Sequence, residues 1–236
     1  MANEKNNEEA RNAVDNINDS LTSIEQKVQN NQKIIMWGCV GAAVVVVLIL
    51  FYVYAFRMPR IQAANDAIGQ ADTELMAGND SIALLKYKTV ADEFGGDASN
   101  RAALNAAILL YQNKKYEEAL DYLKKYDTKE AVIGAGALSL EGDCYVNLKK
   151  YDEALGCFKK AVKESDNNPA YTPFFMMKEA TVLHELKRYA EEADIYAEII
   201  KEYPAYGDNN RLDLEKYLER AKALAGQKYF QGRQPP

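Results

Sequence analysis

Lys-Lys-Tyr-Glu-Glu-Ala-Leu at residues 114–120 returns as Lys-Lys-Tyr-Asp-Glu-Ala-Leu at residues 149–155. Each run reads the same way. After two basic residues an aromatic residue opens the second helix of a repeat, and paired acids in the first turn complement the helix dipole before Ala enters on the packing side. Working back from Ala154, Tyr145 and Gly142 stand nine and twelve residues earlier; working forward, Phe158 and Ala161 follow. A small residue on one helix thus faces a small residue on the next, so the two cross closely. The aromatic residues fill the space to the following pair.

Three more windows fit this spacing. Ala71, Ala83, Tyr87 and Val90 form one, closing at Phe94-Gly95, and Ala107, Ala119, Leu123 and Tyr126 form another. Ala180, Glu192, Tyr196 and Ile199 form the last, ending on Pro204, with Glu192 where the pattern wants Ala. Tyr116, Tyr151 and Tyr189 each follow the small residue of their own window by nine positions. Small–aromatic…Ala-x-x-x-Phe…Ala is the spacing of the tetratricopeptide repeat, about 34 residues long, which these windows resemble.

Residues 61–225 read as helical throughout, without a convincing alternating strand. After Asp208-Asn209-Asn210, residues 211–225 predict a final amphipathic helix with Leu214, Tyr217, Leu218, Ala221 and Leu224 on one side, the cover a solenoid needs at its end. Residues 226–236, polar and ending Pro-Pro, read as a loose tail. The fold class expected is all-α: one N-terminal transmembrane helix, then a tetratricopeptide-repeat α-solenoid of about four helix pairs over residues 57–225 with a C-terminal capping helix.

The transmembrane expectation rests on residues 34–56. This run of 23 has no charge and no Pro and lies between Lys33 and Arg57. At ~1.5 Å per residue it reaches about 34 Å, enough for a ~30 Å hydrocarbon core. Trp37 at one end and Tyr52 and Tyr54 at the other suit the headgroup level. The run is too long for a cleaved signal peptide and follows 33 polar residues rather than a short basic region. Lys27 and Lys33 balance Arg57 and Arg60, so flanking charge does not orient it. Gly38 and Ala42 form a small-xxx-small pair, read either as a helix–helix contact or as a neutral lipid-facing stripe.

Residues 1–33 are polar but patterned. Val14, Leu21 and Val28 alternate with Ala10, Ile17 and Ile24 as a short heptad seam. Val14, Ile17, Leu21, Ile24 and Val28 are therefore a candidate homo-oligomer seam, with a single amphipathic helix or a segment that folds on a partner as the alternatives.

Composition removes several functions. The chain of 236 residues has a net charge of −6 and no basic block, which argues against nucleic acid as a partner. One His and three Cys leave no basis for a His-built metal site or a disulfide scaffold. No phosphate-cradling Gly loop or nucleophile motif occurs. The sequence predicts no enzyme, no catalytic residue, no cofactor and no metal. Cys144 and Cys157, on the two helices of one repeat, read as free, partly buried thiols beside the packing seam.

The whole arrangement also resembles the YfgM-like family, ancillary subunits of the bacterial Sec translocon. The likeness is carried by Ile24-Glu25-Gln26, Asn31-Gln32-Lys33, Asp92-Glu93-Phe94-Gly95-Gly96, Glu141-Gly142-Asp143, Tyr171-Thr172-Pro173 and Glu215-Lys216-Tyr217-Leu218. It implies a single-pass protein of the bacterial inner membrane with a cytosolic N-terminus and a periplasmic repeat domain. It also implies partners among the Sec translocon and periplasmic chaperones. Envelope-assembly and cell-division adaptors share the architecture, and a mainly structural membrane-anchored oligomer is a further alternative.

In a stack of such repeats, first-helix residues off the packing face line a concave groove. By register these are Leu104, Ile108 and Tyr111, then Ser139, Asp143 and Val146, then Phe174, Met177, Thr181 and His184. Leu104, Ile108 and Val146 read equally as inter-repeat core. Tyr111, Phe174, Met177 and His184 are the candidate protein-binding residues, suited to a peptide with apolar anchors. His184 has no partner evident in the sequence for catalysis.

Overall fold

The computed structural model describes residue 29 and residues 31–127 and 131–231. The oligomer seam expected at Val14, Ile17, Leu21, Ile24 and Val28 lies outside the described residues. Two units separate along the chain, Met1–Arg60 and Ile61–Pro236.

In the first unit α1 spans Gln32–Tyr52 and passes into a π-helical turn, Val53–Arg57, where the Met58 amide reaches back to the Val53 carbonyl. The helix is long and apolar enough to cross a membrane. Apolar side chains are exposed around it, from Trp37 through Val44–Val47 to Phe51. A helix apolar on all sides belongs in a core or in a bilayer.

The second unit is a series of helix pairs. These are α2 (Met58–Met76) with α3 (Asp80–Glu93), α4 (Gly96–Gln112) with α5 (Tyr116–Leu123), α6 (Ala131–Asn147) with α7 (Tyr151–Glu164), and α8 (Thr172–Glu185) with α9 (Tyr189–Glu202). A short helix, α10 (Ala205–Asn210), and the capping helix α11 (Leu214–Gln231) follow, and α11 packs on α9. Two expectations are corrected here. The last helix, expected over 211–225, starts at Leu214 after Asp208-Asn209-Asn210 has closed α10, and it runs six residues into the segment expected as a loose tail. Residues 226–231 hold no Pro and a single Gly, so nothing in them stops a helix before Gly232.

The turn inside each pair is the same four times. Lys115 donates its amide to the Leu110 carbonyl and Lys114 to the Tyr111 carbonyl, both at 2.9 Å. Lys150 and Lys149 do the same to Tyr145 and Val146, Arg188 and Lys187 to Leu183 and His184, and Asn79 and Gly78 to Glu74 and Leu75. This is the crossed 6→1 and 5→2 closure that ends a helix on a left-handed residue. Gly78 takes that conformation at φ 78°, and Lys114, Lys149 and Lys187 take it at φ 57–59°.

The spacing read from the sequence marks the core. Ala71, Ala83, Tyr87 and Val90 are buried, as are Ala107, Ala119 and Leu123, Ala154, Phe158 and Ala161, and Ala180, Tyr196 and Ile199. The closest approach is at Gly142, where a Cβ would stand 2.6 Å from the Phe158 ring. Glu192 is buried completely in the place of an Ala. Neighbouring pairs are tied at their edges: Arg101 and the Tyr87 hydroxyl (2.6 Å) both bond Asp72, and Tyr122 and Lys125 both bond Asp92. Burial first, and Asp72 beside it, push the Tyr87 phenol up to about 12.

Candidate functional site

The first helices of the second, third and fourth pairs, α4, α6 and α8, together wall a cavity of about 420 Å³. Leu104 and Ile108 come from α4, Val132, Ile133 and Ser139 from α6, and Phe174 from α8. Leu104 and Ile108 stand one turn apart, and Val132 and Ser139 two turns apart, on one face of their helices. Ile133 is 47% exposed and Phe174 44%, with Ile108 and Val132 a little less open. Large apolar side chains held in water at adjoining positions have found no partner within the fold.

Two polar features interrupt this surface. Ser139 is buried, and its Oγ has no hydrogen-bond partner among the described residues. A buried hydroxyl left unpaired costs about 1–3 kcal/mol, a cost that a ligand acceptor reaching the wall would remove. Across the cavity Lys178 bonds Asp143, and its ammonium lies 5.0 Å from the centre of the Phe174 ring. Burial raises the Asp143 carboxyl above its ordinary value, and Lys178 works against that rise.

Of the four residues singled out in the sequence, only Phe174 lines this cavity. Tyr111 packs on the neighbouring core, its ring 5.5 Å from that of Tyr116, and accepts a 3.4 Å contact from Asn147. Met177 is half-buried against the core of the last pair. His184 has a partner that its place in the sequence did not reveal: its Nδ1 lies 2.9 Å from a carboxylate oxygen of Glu192, and its ring meets Tyr189 edge-on at 5.4 Å. Leu104 and Ile108, read equally as core, line the cavity. Val132, Ile133 and Lys178 were not identified from the sequence. The repeat register was counted from Gly142, and exposure in the first turn of α6 depends on how far α4 and α8 extend beside it.

Cys144 and Cys157 are free and fully buried, and burial above all pushes both thiols up to about 12. Among the described residues no group of three or more His, Cys, Asp or Glu is arranged to hold a metal ion.

A stack of antiparallel helix pairs closed by a capping helix, with an open apolar cavity on its first helices, defines an α-solenoid interaction scaffold. The fold is that of tetratricopeptide repeats. Residues 139–207 match the family model described as tetratricopeptide repeat, and residues 85–161 match the one described as anaphase-promoting complex, cyclosome, subunit 3. No curated protein matches the chain in sequence. Among solved structures it is similar to a crystal structure of MamA at 14% identity and a TM-score of 0.51, covering 73% of this chain and 97% of that one. A second MamA structure gives 16% identity and a TM-score of 0.50, covering 67% and 96%. YrrB, described as a TPR protein with an unusual peptide-binding site, gives 18% identity and a TM-score of 0.48 over 67% of this chain and 84% of that one. At these identities the likeness to MamA is one of fold.

Proposed function

We propose that this chain is a membrane-anchored scaffold that holds an apolar segment of a partner protein in the cavity between α4, α6 and α8. The observation that carries the proposal is the cavity wall itself: exposed Ile133 and Phe174 beside the buried, unpartnered hydroxyl of Ser139. Apolar side chains supply binding free energy, and the hydroxyl and the Asp143–Lys178 pair set its position. The anchor is α1, whose length and composition suit a bilayer. The resemblance to the YfgM-like family extends the reading to an ancillary factor of the Sec translocon, anchored in the inner membrane with its repeats in the periplasm, passing emerging chains to chaperones.

The test is crosslinking of the full chain in native membranes with a short amine-reactive reagent, followed by identification of the captured proteins. Translocon subunits and periplasmic chaperones are expected with the unaltered chain and are expected to be lost with Ile133→Asp at an unchanged melting temperature. Capture of neither group would overturn the translocon reading, and capture of division or envelope-assembly proteins would replace it with the adaptor reading. Equal capture by Ile133→Asp would move the binding surface away from this cavity.

A further inference from the structure

A second cavity, of about 600 Å³, lies at the C-terminal end of the repeats and shares only Tyr171 and Phe174 with the first. One wall is the turn Pro169-Ala170-Tyr171 that leads into α8; the other is the junction of α9 and α10, where Tyr203, Pro204 and Tyr206 follow one another. Four aromatic rings therefore face one cleft. Among the described residues, the rings of Tyr171, Tyr203 and Tyr206 have no aromatic partner and their hydroxyls no hydrogen bond. Burial alone raises the Tyr206 phenol above its ordinary value. Of the remaining polar groups, Asn210 donates to the Tyr206 carbonyl at 2.9 Å and one Glu202 oxygen takes the Lys201 ammonium at 2.6 Å, while the second Glu202 oxygen, the Asn210 oxygen and the Asn209 amide stay open among the described residues.

What stays open is mainly a set of four ring faces with the phenol hydroxyls of the three tyrosines. A proline-containing segment matches such a lining. In the polyproline II conformation the chain has no internal hydrogen bonds, presents its carbonyls outward as acceptors, and is already ordered before it binds. Proline contributes no amide donor that would need an acceptor. Its ring packs on aromatic faces, the mode by which proline-rich segments dock in aromatic-lined grooves. Charge adds a preference. Glu202 is the ionisable acid in the lining and no Lys, Arg or His stands there, so a basic neighbour to the prolines is favoured over an acidic one.

We infer that this cleft docks an extended, proline-containing segment with a basic flank, carried by a partner protein. It is a second recognition site and does not depend on what fills the cavity between α4, α6 and α8.

The experiment titrates the full chain in detergent micelles into a fluorescein-labelled peptide, Ser-Arg-Pro-Pro-Pro-Pro-Gly, and follows anisotropy. Saturable binding is expected, weakened about tenfold by Tyr171→Ala or Tyr203→Ala, the loss of one stacked ring face plus its buried area. Tyr206→Phe, which keeps the ring and removes the hydroxyl, is expected to weaken it about threefold. Tyr171 is an exposed side chain on a turn, so its variant keeps the fold, and an unchanged melting temperature checks this. Ile133→Asp, on the other cavity alone, is expected to leave peptide binding unchanged. The inference is overturned if no saturation is seen, if the peptide with Ala in place of Pro binds as well, or if Tyr171→Ala binds equally. It is also overturned if Ile133→Asp abolishes binding, which would place the peptide in the other cavity. Tyr171-dependent binding of a chito-oligosaccharide with none of the peptide would overturn it in favour of a sugar site.

Discussion

The Nδ1 of His184 lies 2.9 Å from Oε2 of Glu192, a carboxylate with no solvent exposure at a repeat position that elsewhere holds Ala. The other oxygen, Oε1, has no hydrogen bond among the described residues, and the Arg220 guanidinium of the capping helix approaches it to 3.7 Å. Tyr217, next to Arg220 on the same face of α11, stacks on Tyr196 of α9 at 5.6 Å. The buried acid thus joins three helices: α8 through His184, its own α9, and α11 through Arg220.

The first prediction follows from an asymmetry in buried ion pairs. Removing one partner strands a charge and costs about 3–5 kcal/mol, whereas removing the charge itself is often close to neutral. His184 and Arg220 both keep contact with water and are rehydrated if Glu192 is lost. Glu192→Ala, which restores the residue the repeat prefers, is therefore expected to change unfolding free energy by less than about 1 kcal/mol. The His184→Ala, Arg220→Ala double variant leaves the carboxylate alone and is expected to lose about 3 kcal/mol. Denaturant unfolding of the two variants decides it, and the reverse order of costs would show that the cluster is net stabilising.

The second prediction contrasts two glycines on facing helices. At Gly142 of α6 a Cβ would meet the Phe158 ring at 2.6, 2.8 and 2.9 Å, whereas at Gly156 of α7 it would meet nothing within 4 Å. Phe158 is itself fully buried and has nowhere to go. Gly142→Ala is expected to destabilise by about 1–3 kcal/mol through overpacking. Gly156→Ala, in an open helix interior, is expected to stabilise by about 0.5–1 kcal/mol. Melting temperatures moving in opposite directions confirm the close crossing, and a tolerated Gly142→Ala would mean that α6 and α7 separate easily.

Particular residues show what the sequence could and could not reveal. The four helix pairs were legible because small and aromatic residues recur at fixed spacing, and burial at most of those positions, though not at Tyr126 or Tyr145, follows from the crossing they permit. The turns inside the pairs were not read from the sequence. Gly78 suits their left-handed geometry, but Lys114, Lys149 and Lys187 adopt it without a residue that advertises it, held there by the two backbone hydrogen bonds that close each helix. The groove was partly legible. Phe174 was found by counting the first-helix register of its repeat, but Ile133 was not. The exposure of Ile133 is fixed by where neighbouring helices end, a property of the stack and not of its own helix. The partnership of His184 with Glu192 spans eight residues and two helices, and it arises from a departure from the repeat pattern.

The third prediction concerns pH. Glu179 is buried on α8, its nearest cation the Lys159 ammonium at 3.9 Å, and burial raises its carboxyl above the ordinary 4.5 despite the Lys159 charge. A folded-state pKa above the unfolded one means that the native state holds the proton more tightly. The stabilisation this gives is complete below 4.5 and is lost as pH rises through the raised value. Glu179→Gln, neutral at every pH, is therefore expected to gain on the unaltered protein between about pH 4 and about pH 7. Urea unfolding of both proteins at the two ends of that range measures the gain. A gap that narrows toward neutral pH would mean that Lys159 outweighs burial.

The last prediction uses the thiols to read both packing and topology. Cys144 and Cys157 are buried with thiols pushed up to about 12, so at neutral pH almost no thiolate forms and no reagent reaches it. Cys39 lies on α1, outside any packed core, and is shielded only if lipid covers that helix. In native membranes a charged, membrane-impermeant maleimide is therefore expected to leave all three unlabelled, and denaturation is expected to expose all three. A Gly226→Cys variant adds one exposed thiol on α11. Labelling of that thiol in intact cells, in cells with the outer barrier opened, and in lysed cells then locates the repeats. Reaction once the outer barrier is opened supports the periplasmic reading. Reaction only after the inner membrane is breached places the repeats in the cytosol and removes periplasmic chaperones as partners. Rapid labelling of Cys39 in membranes would show that α1 is not embedded, leaving the repeats a scaffold without an anchor.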